Sequence, residues 1–415
     1  MLLVQQYLLE HSFDDLAKNH GVYASFSKSG HKFSMNYSQI ESKDSDLLSQ
    51  ECRGLILSLE NGNIIDGTLT DKGINRDNVI PGKTRVIAYP MRRFFNYGQG
   101  ACANINWNDE NLKIQDKMDG TLIILYYDPF INEWCCGTRS VPDADLLMDN
   151  GIYTFRLLFE KALYDTCGLS FENYTSNLDK EITYCFELTT PYNRIVVNYP
   201  SNKVTIIAAR QIIYSSTMIG GINNEIFWSC QELDTNKIKT YGVPVVRTHP
   251  YASADDLIKL VDTFDPLENE GIVVCDSNFN RIKIKNINYV LYSKSRDTLC
   301  NDRAFLSLIL NEKEDDFMEF LPEEFKNRVL LLKDKLKLFK FNLMDRYENI
   351  KANSNSKKEF ALAVQKEKLW GAPLFAMYDK KCNNFNEFIL QNKSKIDSSF
   401  SHSFLDKFLE NILNN

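Results

Sequence analysis

One change of periodicity divides this 415-residue chain. From about residue 21 to about 295, apolar residues come in short β-type runs closed by turn residues. They include Gly54-Leu55-Ile56-Leu57-Ser58-Leu59 before a hairpin turn at Asn61-Gly62-Asn63, and Thr121 to Tyr127 before Asp128-Pro129. Others are Thr183 to Leu188, Arg194 to Val197, Val204 to Ala209, Gly271 to Val274 and Arg281 to Lys285. Helical spacing marks residues 1–20, ending at Asn19-His20-Gly21, and a stretch over about 143–165. After Asp302 the spacing is helical nearly to the end, with Leu and Lys at helix intervals in 326–345 and 358–370 and a loop at 353–356. The pattern predicts an α+β domain over 1–298 followed by an all-α domain over 299–415.

Composition removes several classes of function. No run of about 18 apolar residues occurs, and Met1-Leu2-Leu3-Val4 is cut short by Gln5-Gln6. The expectation is a soluble intracellular chain, cytoplasmic or nuclear, neither secreted nor bound to a membrane. Ten cysteines with no CxxC pair read as reduced core residues, not as zinc ligands. The five histidines are dispersed, and none stands beside a Ser or Cys in a nucleophile motif, which weakens hydrolase readings. Neither GxxxxGK[ST] nor GxGxxG is present. A net charge of −7 argues against a generally basic nucleic-acid coat and leaves room for a local basic groove. Lys333, Lys335, Lys337 and Lys340 could touch phosphates, although a solvated helix face is the favoured reading.

The sharpest local feature is Lys117-Met118-Asp119-Gly120 leading straight into the apolar run from Thr121. A lysine amine forms covalent intermediates once neighbouring cations or a metal remove its charge. Alone, an exposed Asp-Gly turn accounts for the same residues. Glu270 opens an apolar strand, an odd place for a carboxylate unless it meets a metal or a ribose. Lys283 and Lys285 are two apart and share one strand face, where mutual repulsion makes sense if a phosphate lies between them; a solvent-facing edge strand is the alternative. Glu187, among apolar residues in Cys185-Phe186-Glu187-Leu188, needs a partner. Arg53 and the Pro90-Met91-Arg92-Arg93-Phe94-Phe95-Asn96 segment offer phosphate contacts and a ring for a purine, one Phe turned inward and one to the base.

In order, Cys52-Arg53-Gly54, PMRRFFN, KMDG, FELTTPYNRIV, EGIVV and IKIKNINYV resemble the boxes of the covalent nucleotidyltransferase superfamily of ligases and capping enzymes, most closely the T4-type RNA ligase 1 family, over about 50–300. The resemblance implies a nucleotidyltransferase domain of antiparallel sheets with flanking helices and a helical C-terminal domain for RNA or tRNA recognition. It implies an ATP-dependent RNA ligase that joins 5′-phosphate and 3′-hydroxyl ends through lysyl-AMP and RNA-adenylate, in repair of broken tRNA or other single-stranded RNA. Lys117 would be the nucleophile. Arg53, Arg93, Phe95, Asp119, Gly120, Arg139, Glu187, Glu270, Lys283, Lys285 and Tyr289 would bind the nucleotide. Glu187, Glu270, Asp315 and Asp316 would hold Mg²⁺ or Mn²⁺. Arg93 and Arg139 stand where the family has Lys and keep the charge. A separate polynucleotide kinase/phosphatase would prepare the RNA ends. The alternatives are an mRNA guanylyltransferase or DNA ligase with the same lysine chemistry, or a noncatalytic RNA-binding relative.

Overall fold

The computed structural model describes residues 1–70, 73–145, 153–193, 195–217, 225–250, 254–265, 268–286, 289–290, 302–310, 318, 323–366, 371–392 and 412. The chain divides into two compact units. The first comprises Met1–Ser38, Ser42–Gly67 and Arg76–Tyr292; the second comprises Gln39–Glu41, Thr68–Asn75 and Ser293–Asn415.

The described strands in chain order are β1 (Val22–Phe26), β2 (Lys32–Tyr37), β3 (Arg53–Leu59), β4 (Thr68–Thr70), β5 (Gly73–Asn75), β6 (Thr84–Ala88), β7 (Phe95–Asn96) and β8 (Lys113–Lys117). They continue with β9 (Thr121–Asp128), β10 (Glu133–Thr138), β11 (Ile182–Thr189), β12 (Lys203–Thr217), β13 (Glu225–Leu233), β14 (Thr248–His249), β15 (Gly271–Cys275) and β16 (Arg281–Lys285). The first unit holds three sheets, ordered β1-β2-β3-β6, β10-β9-β11-β12-β13 and β14-β8-β15-β16-β7. Neighbouring strands run antiparallel, except that β7 joins β16 in parallel.

The continuous apolar run of β9 follows from its position. Ile123 and Leu125 enter one cluster with Leu158, Phe159, Ala162 and Leu163, while Leu122, Ile124 and Tyr126 enter another with Ile56, Ile87, Ala88 and Met91. Both faces are covered, so period-two alternation of polar and apolar residues disappears.

The helix expected over about 143–165 is shorter and begins later, at Phe155–Cys167, capped by the Thr154 side chain and by left-handed Gly168. Val141 to Ala144 turn back along β10 instead: Thr138 donates to the Val141 carbonyl, Ala144 donates to the Cys136 carbonyl, and the Tyr126 hydroxyl donates to the Pro142 carbonyl. The helix expected over 1–20 is two helices, Leu3–Tyr7 and Phe13–His20, the second started by the Ser12 cap and ended at left-handed Gly21. Asn61-Gly62-Asn63 does turn the chain, but it does not join a hairpin, because the next sheet neighbour of β3 is β6.

Among its described residues, the regular structure of the second unit is helical apart from the β4-β5 pair. In its long helix, Glu323–Ala352, the buried residues Val329, Leu332, Leu336, Phe339, Leu343, Tyr347 and Ile350 recur every three or four positions and form one stripe. Lys340 bonds Glu41 and Asn386 within the unit. Among the described residues no helix is long and apolar enough to cross a membrane.

Candidate active site

Lys117 ends β8 and Lys285 ends β16, and both lie opposite Gly271 at the start of β15, one from each side. Their ammonium groups converge on the preceding residue: each Nζ lies 2.7 Å from the same Oε1 of Glu270. The carboxylate is buried, and the Lys117 side chain keeps 21% of its surface open to solvent. Gly271 permits the convergence. Its φ is +152°, and a Cβ there would sit 2.7 Å from the Lys285 Cα. The Lys117 amine is therefore ion-paired with a carboxylate that it shares with Lys285.

Lys283 is half-buried on the same face of β16 as Lys285 and pairs through its backbone with Val273 and Asn96. A third cation on that face, Arg281, is ion-paired with Glu232, which also bonds Arg210 at 3.1 Å. Sequence reasoning missed this cluster of Arg281, Glu232 and Arg210; the period-two spacing with Lys283 and Lys285 announced only the place of Arg281 on that face.

Glu187 stands in β11 opposite Leu122 of β9 and Thr205 of β12. Its Oε1 accepts the Gly120 N–H at 3.0 Å. Burial pushes its carboxyl up to about 7; Lys117 and Arg53 pull it down, and Glu270 adds to the rise. Gly120 has to be glycine because a Cβ would fall onto the Leu188 carbonyl and 3.1 Å from Glu187 Cγ.

Asp119 was expected to touch nucleotide, but its carboxylate faces inward. Oδ2 accepts the Val196 and Val197 N–H groups at 2.8 Å each, Oδ1 accepts the Tyr289 hydroxyl at 2.8 Å, and the Asp119 N–H donates to the Tyr199 hydroxyl at 3.2 Å. Burial and the Glu270 charge raise its carboxyl, against the pull of those donors. The same bonds explain why the strand expected over 194–197 is not one: Ile195 to Val197 form a bend whose N–H groups serve Asp119 instead of a ladder. Tyr199 also escaped the sequence reading. Tyr289 is thus a support of the lysine loop, with the Lys285 ammonium 5.9 Å from its ring.

Arg53 begins β3. Its guanidinium is held below its usual value by burial, and its buried Nη1 has no hydrogen-bond acceptor. Phe94, half-buried, lies 5.5 Å from it. Phe95 is the inward member of the pair, buried and covered by the Arg93 guanidinium at 4.7 Å. Arg93 itself is buried, donating to Asp44 at 2.6 Å and to Ser42 Oγ at 3.2 Å, with Tyr37 4.3 Å away. Arg139 lies 5.5 Å over the same Tyr37 ring. Both arginines expected at phosphates therefore belong to a cluster around Tyr37, where Asp44 already engages the Arg93 fork.

The orphaned Arg53 donor and the half-open lysine suit a phosphorylated ligand. Among the described residues no three His, Cys, Asp or Glu side chains gather as metal ligands. Glu187 and Glu270 are nevertheless close enough to perturb each other, and Mg²⁺ is commonly held by one or two carboxylates together with substrate phosphates. Asp315 and Asp316 lie outside the described residues.

Residues 51–289 match a family model described as RNA ligase. A protein named as a bifunctional polynucleotide kinase/RNA ligase, from Autographa californica nuclear polyhedrosis virus, is 25% identical over 300 residues, covering 69% of this chain and 37% of that protein. An RNA ligase of Rhodothermus phage RM378 is 26% identical over 152 residues, covering 31% of this chain and 34% of that one. The chain thus spans about a third of the length of these curated relatives. Among solved structures, an archaeal ATP-dependent RNA ligase superposes with a TM-score of 0.42 at 13% identity, covering 88% of this chain and 89% of that one.

Proposed function

The chain belongs to the T4-type RNA ligase 1 family, and from that premise we propose that it is an ATP-dependent RNA ligase with Lys117 as its nucleophile. The observation that carries this reading is the Glu270 oxygen shared by Lys117 and Lys285.

Three displacements follow in order. The Lys117 amine attacks the α-phosphorus of ATP; the N–P bond forms while the bond to the bridging oxygen breaks, and pyrophosphate leaves with that electron pair. Glu270 Oε1, already hydrogen-bonded to the amine, takes its proton. An oxygen of an RNA 5′-phosphate next attacks the lysyl-AMP phosphorus, breaking the P–N bond and giving RNA-adenylate. An RNA 3′-hydroxyl then attacks the 5′-phosphate, and AMP departs as the phosphodiester forms.

Each step gathers negative charge on phosphate oxygens. Lys283, Lys285 and the open Nη1 donor of Arg53 answer that charge. Mg²⁺ or Mn²⁺, held by Glu187 and Glu270 together with the phosphates, would supply further neutralisation. Gly120 brings the lysine loop onto Glu187, and Asp119 with Tyr289 fixes that loop. The helical unit would recognise single-stranded RNA or nicked tRNA. A separate kinase/phosphatase would supply 5′-phosphate ends.

Incubation with α-labelled ATP tests the assignment. The native chain takes up label, and Lys117→Ala takes up none while melting as the native protein does. Label on the variant equal to that on the native chain overturns the reading. GTP in place of ATP separates the ligase from a guanylyltransferase, which would prefer GTP.

A further inference from the structure

At the other end of the strand that leaves the lysine loop there is a second concavity. It has a volume of about 240 Å³ and is lined by Arg85, Tyr127, Pro129, Lys180, Glu181 and Tyr214, among others. Thr121 to Tyr127 is about six residue steps along β9, which at about 3.3 Å each places this hollow about 20 Å along the strand from the lysine loop.

Cations and rings alternate in it. The Lys180 ammonium lies 4.2 Å from the Tyr127 ring, and the Arg85 guanidinium lies 4.2 Å from Tyr214 and 5.5 Å from Phe130. Tyr214 continues to Trp228 at 6.5 Å. The Tyr214 hydroxyl is spent on the Val86 carbonyl, which fixes the ring. Arg85 Nε is buried with no acceptor in a protein interior where nearly all such groups are paired, while the rest of that side chain hydrogen-bonds Tyr214. Glu181 is the one anion among the lining residues, so the charge there is net positive.

We propose that this hollow is an accessory subsite for a nucleotide of the RNA strand being sealed, remote from the ends that react. A base would stack on the Tyr127 and Tyr214 side, and an anionic phosphate oxygen would satisfy Arg85 and Lys180. Aromatic faces interleaved with cations are how single-stranded nucleic acid is held without regard to sequence. The proposal rests on the RNA ligase reading for the identity of the strand, since the nucleophile plays no part in the subsite.

Lys180→Glu is the first test, because that side chain is exposed and its replacement leaves the core intact. Tyr127→Leu is the second, removing a ring and keeping the bulk. Both variants should form lysyl-AMP from ATP at the native rate and seal a substrate of about 4 nucleotides normally. With RNA of about 16 nucleotides KM should rise about tenfold, and anisotropy of labelled RNA should show the same loss of affinity. A 4-thiouridine strand should crosslink to Tyr127 or Tyr214. Equal behaviour of short and long RNA in both variants, or crosslinks only elsewhere, overturns the subsite. Failure of the native chain to form lysyl-AMP would overturn the ligase reading instead, and the anisotropy comparison would still decide this one.

Discussion

The Asp119 carboxylate and the Tyr289 hydroxyl meet at 2.8 Å across 170 positions of chain. This bond ties the loop that carries Lys117 to the segment just beyond β16, and the Val196 and Val197 N–H groups complete the anchorage. Lys117 is thereby placed by two separate stretches of chain, both of which reach its loop through one carboxylate.

Replacement of that carboxylate separates shape from charge. Asp119→Ala strands three buried donors at about 1–3 kcal/mol each, so its melting temperature should fall by several degrees and lysyl-AMP formation should fail. Asp119→Asn can keep its oxygen on the two N–H groups and turn its amide toward Tyr289, whose hydroxyl then accepts. It should melt close to the native protein. Equal stability of the Ala variant by thermal melting would show the anchorage to be dispensable.

Glu187 gives a pH dependence of defined sign. Its folded value of about 7 lies above its ordinary 4.5, so the folded chain holds a proton that the unfolded chain has lost over that window. Its contribution to stability is complete below 4.5 and is lost as pH rises through about 7. Glu187→Gln should therefore melt higher than the native chain at about pH 8 and match it at about pH 5, while losing ligase activity. A melting difference that does not change with pH would refute the buried titration.

Arg53 tests the proposed phosphate contact. Its Nη1 has no acceptor and burial disfavours its charge, so Arg53→Met should not lower the stability of the ligand-free chain. Formation of lysyl-AMP should drop at least about tenfold, since a charged hydrogen bond to phosphate is worth about 1.5–3 kcal/mol. A large loss of stability in the absence of ATP would assign Arg53 to the fold instead.

Local order was legible in the sequence where a single covalent pattern dictates it. The run from Thr121 reads as a strand and is one, Arg281 to Lys285 kept its period of two, and Gly21 ended a helix as its freedom at positive φ allows. The motif residues Lys117, Glu187, Glu270 and Lys285 were visible as charges set among apolar neighbours. Which charge meets which was not visible, because a hydrogen bond depends on distances that folding alone creates. Asp119 and Arg93 looked like ligand contacts by type and were turned to protein partners that lie 170 and 49 positions away. The strand expected over 194–197 gave way because a buried carboxylate competed for its N–H groups.

Residue type and spacing thus determined strands β3, β9, β11, β12, β15 and β16, the change from strands to helices along the chain, and the kind of group that Lys117 offers. Tertiary structure alone decided that this amine rests against an anion and that Arg53 keeps an open donor. It also decided that a second basic and aromatic hollow lies at the far end of β9. The physical reason is range: backbone preference acts over a few neighbours in sequence, whereas burial and electrostatics act between groups that become neighbours only in the folded chain.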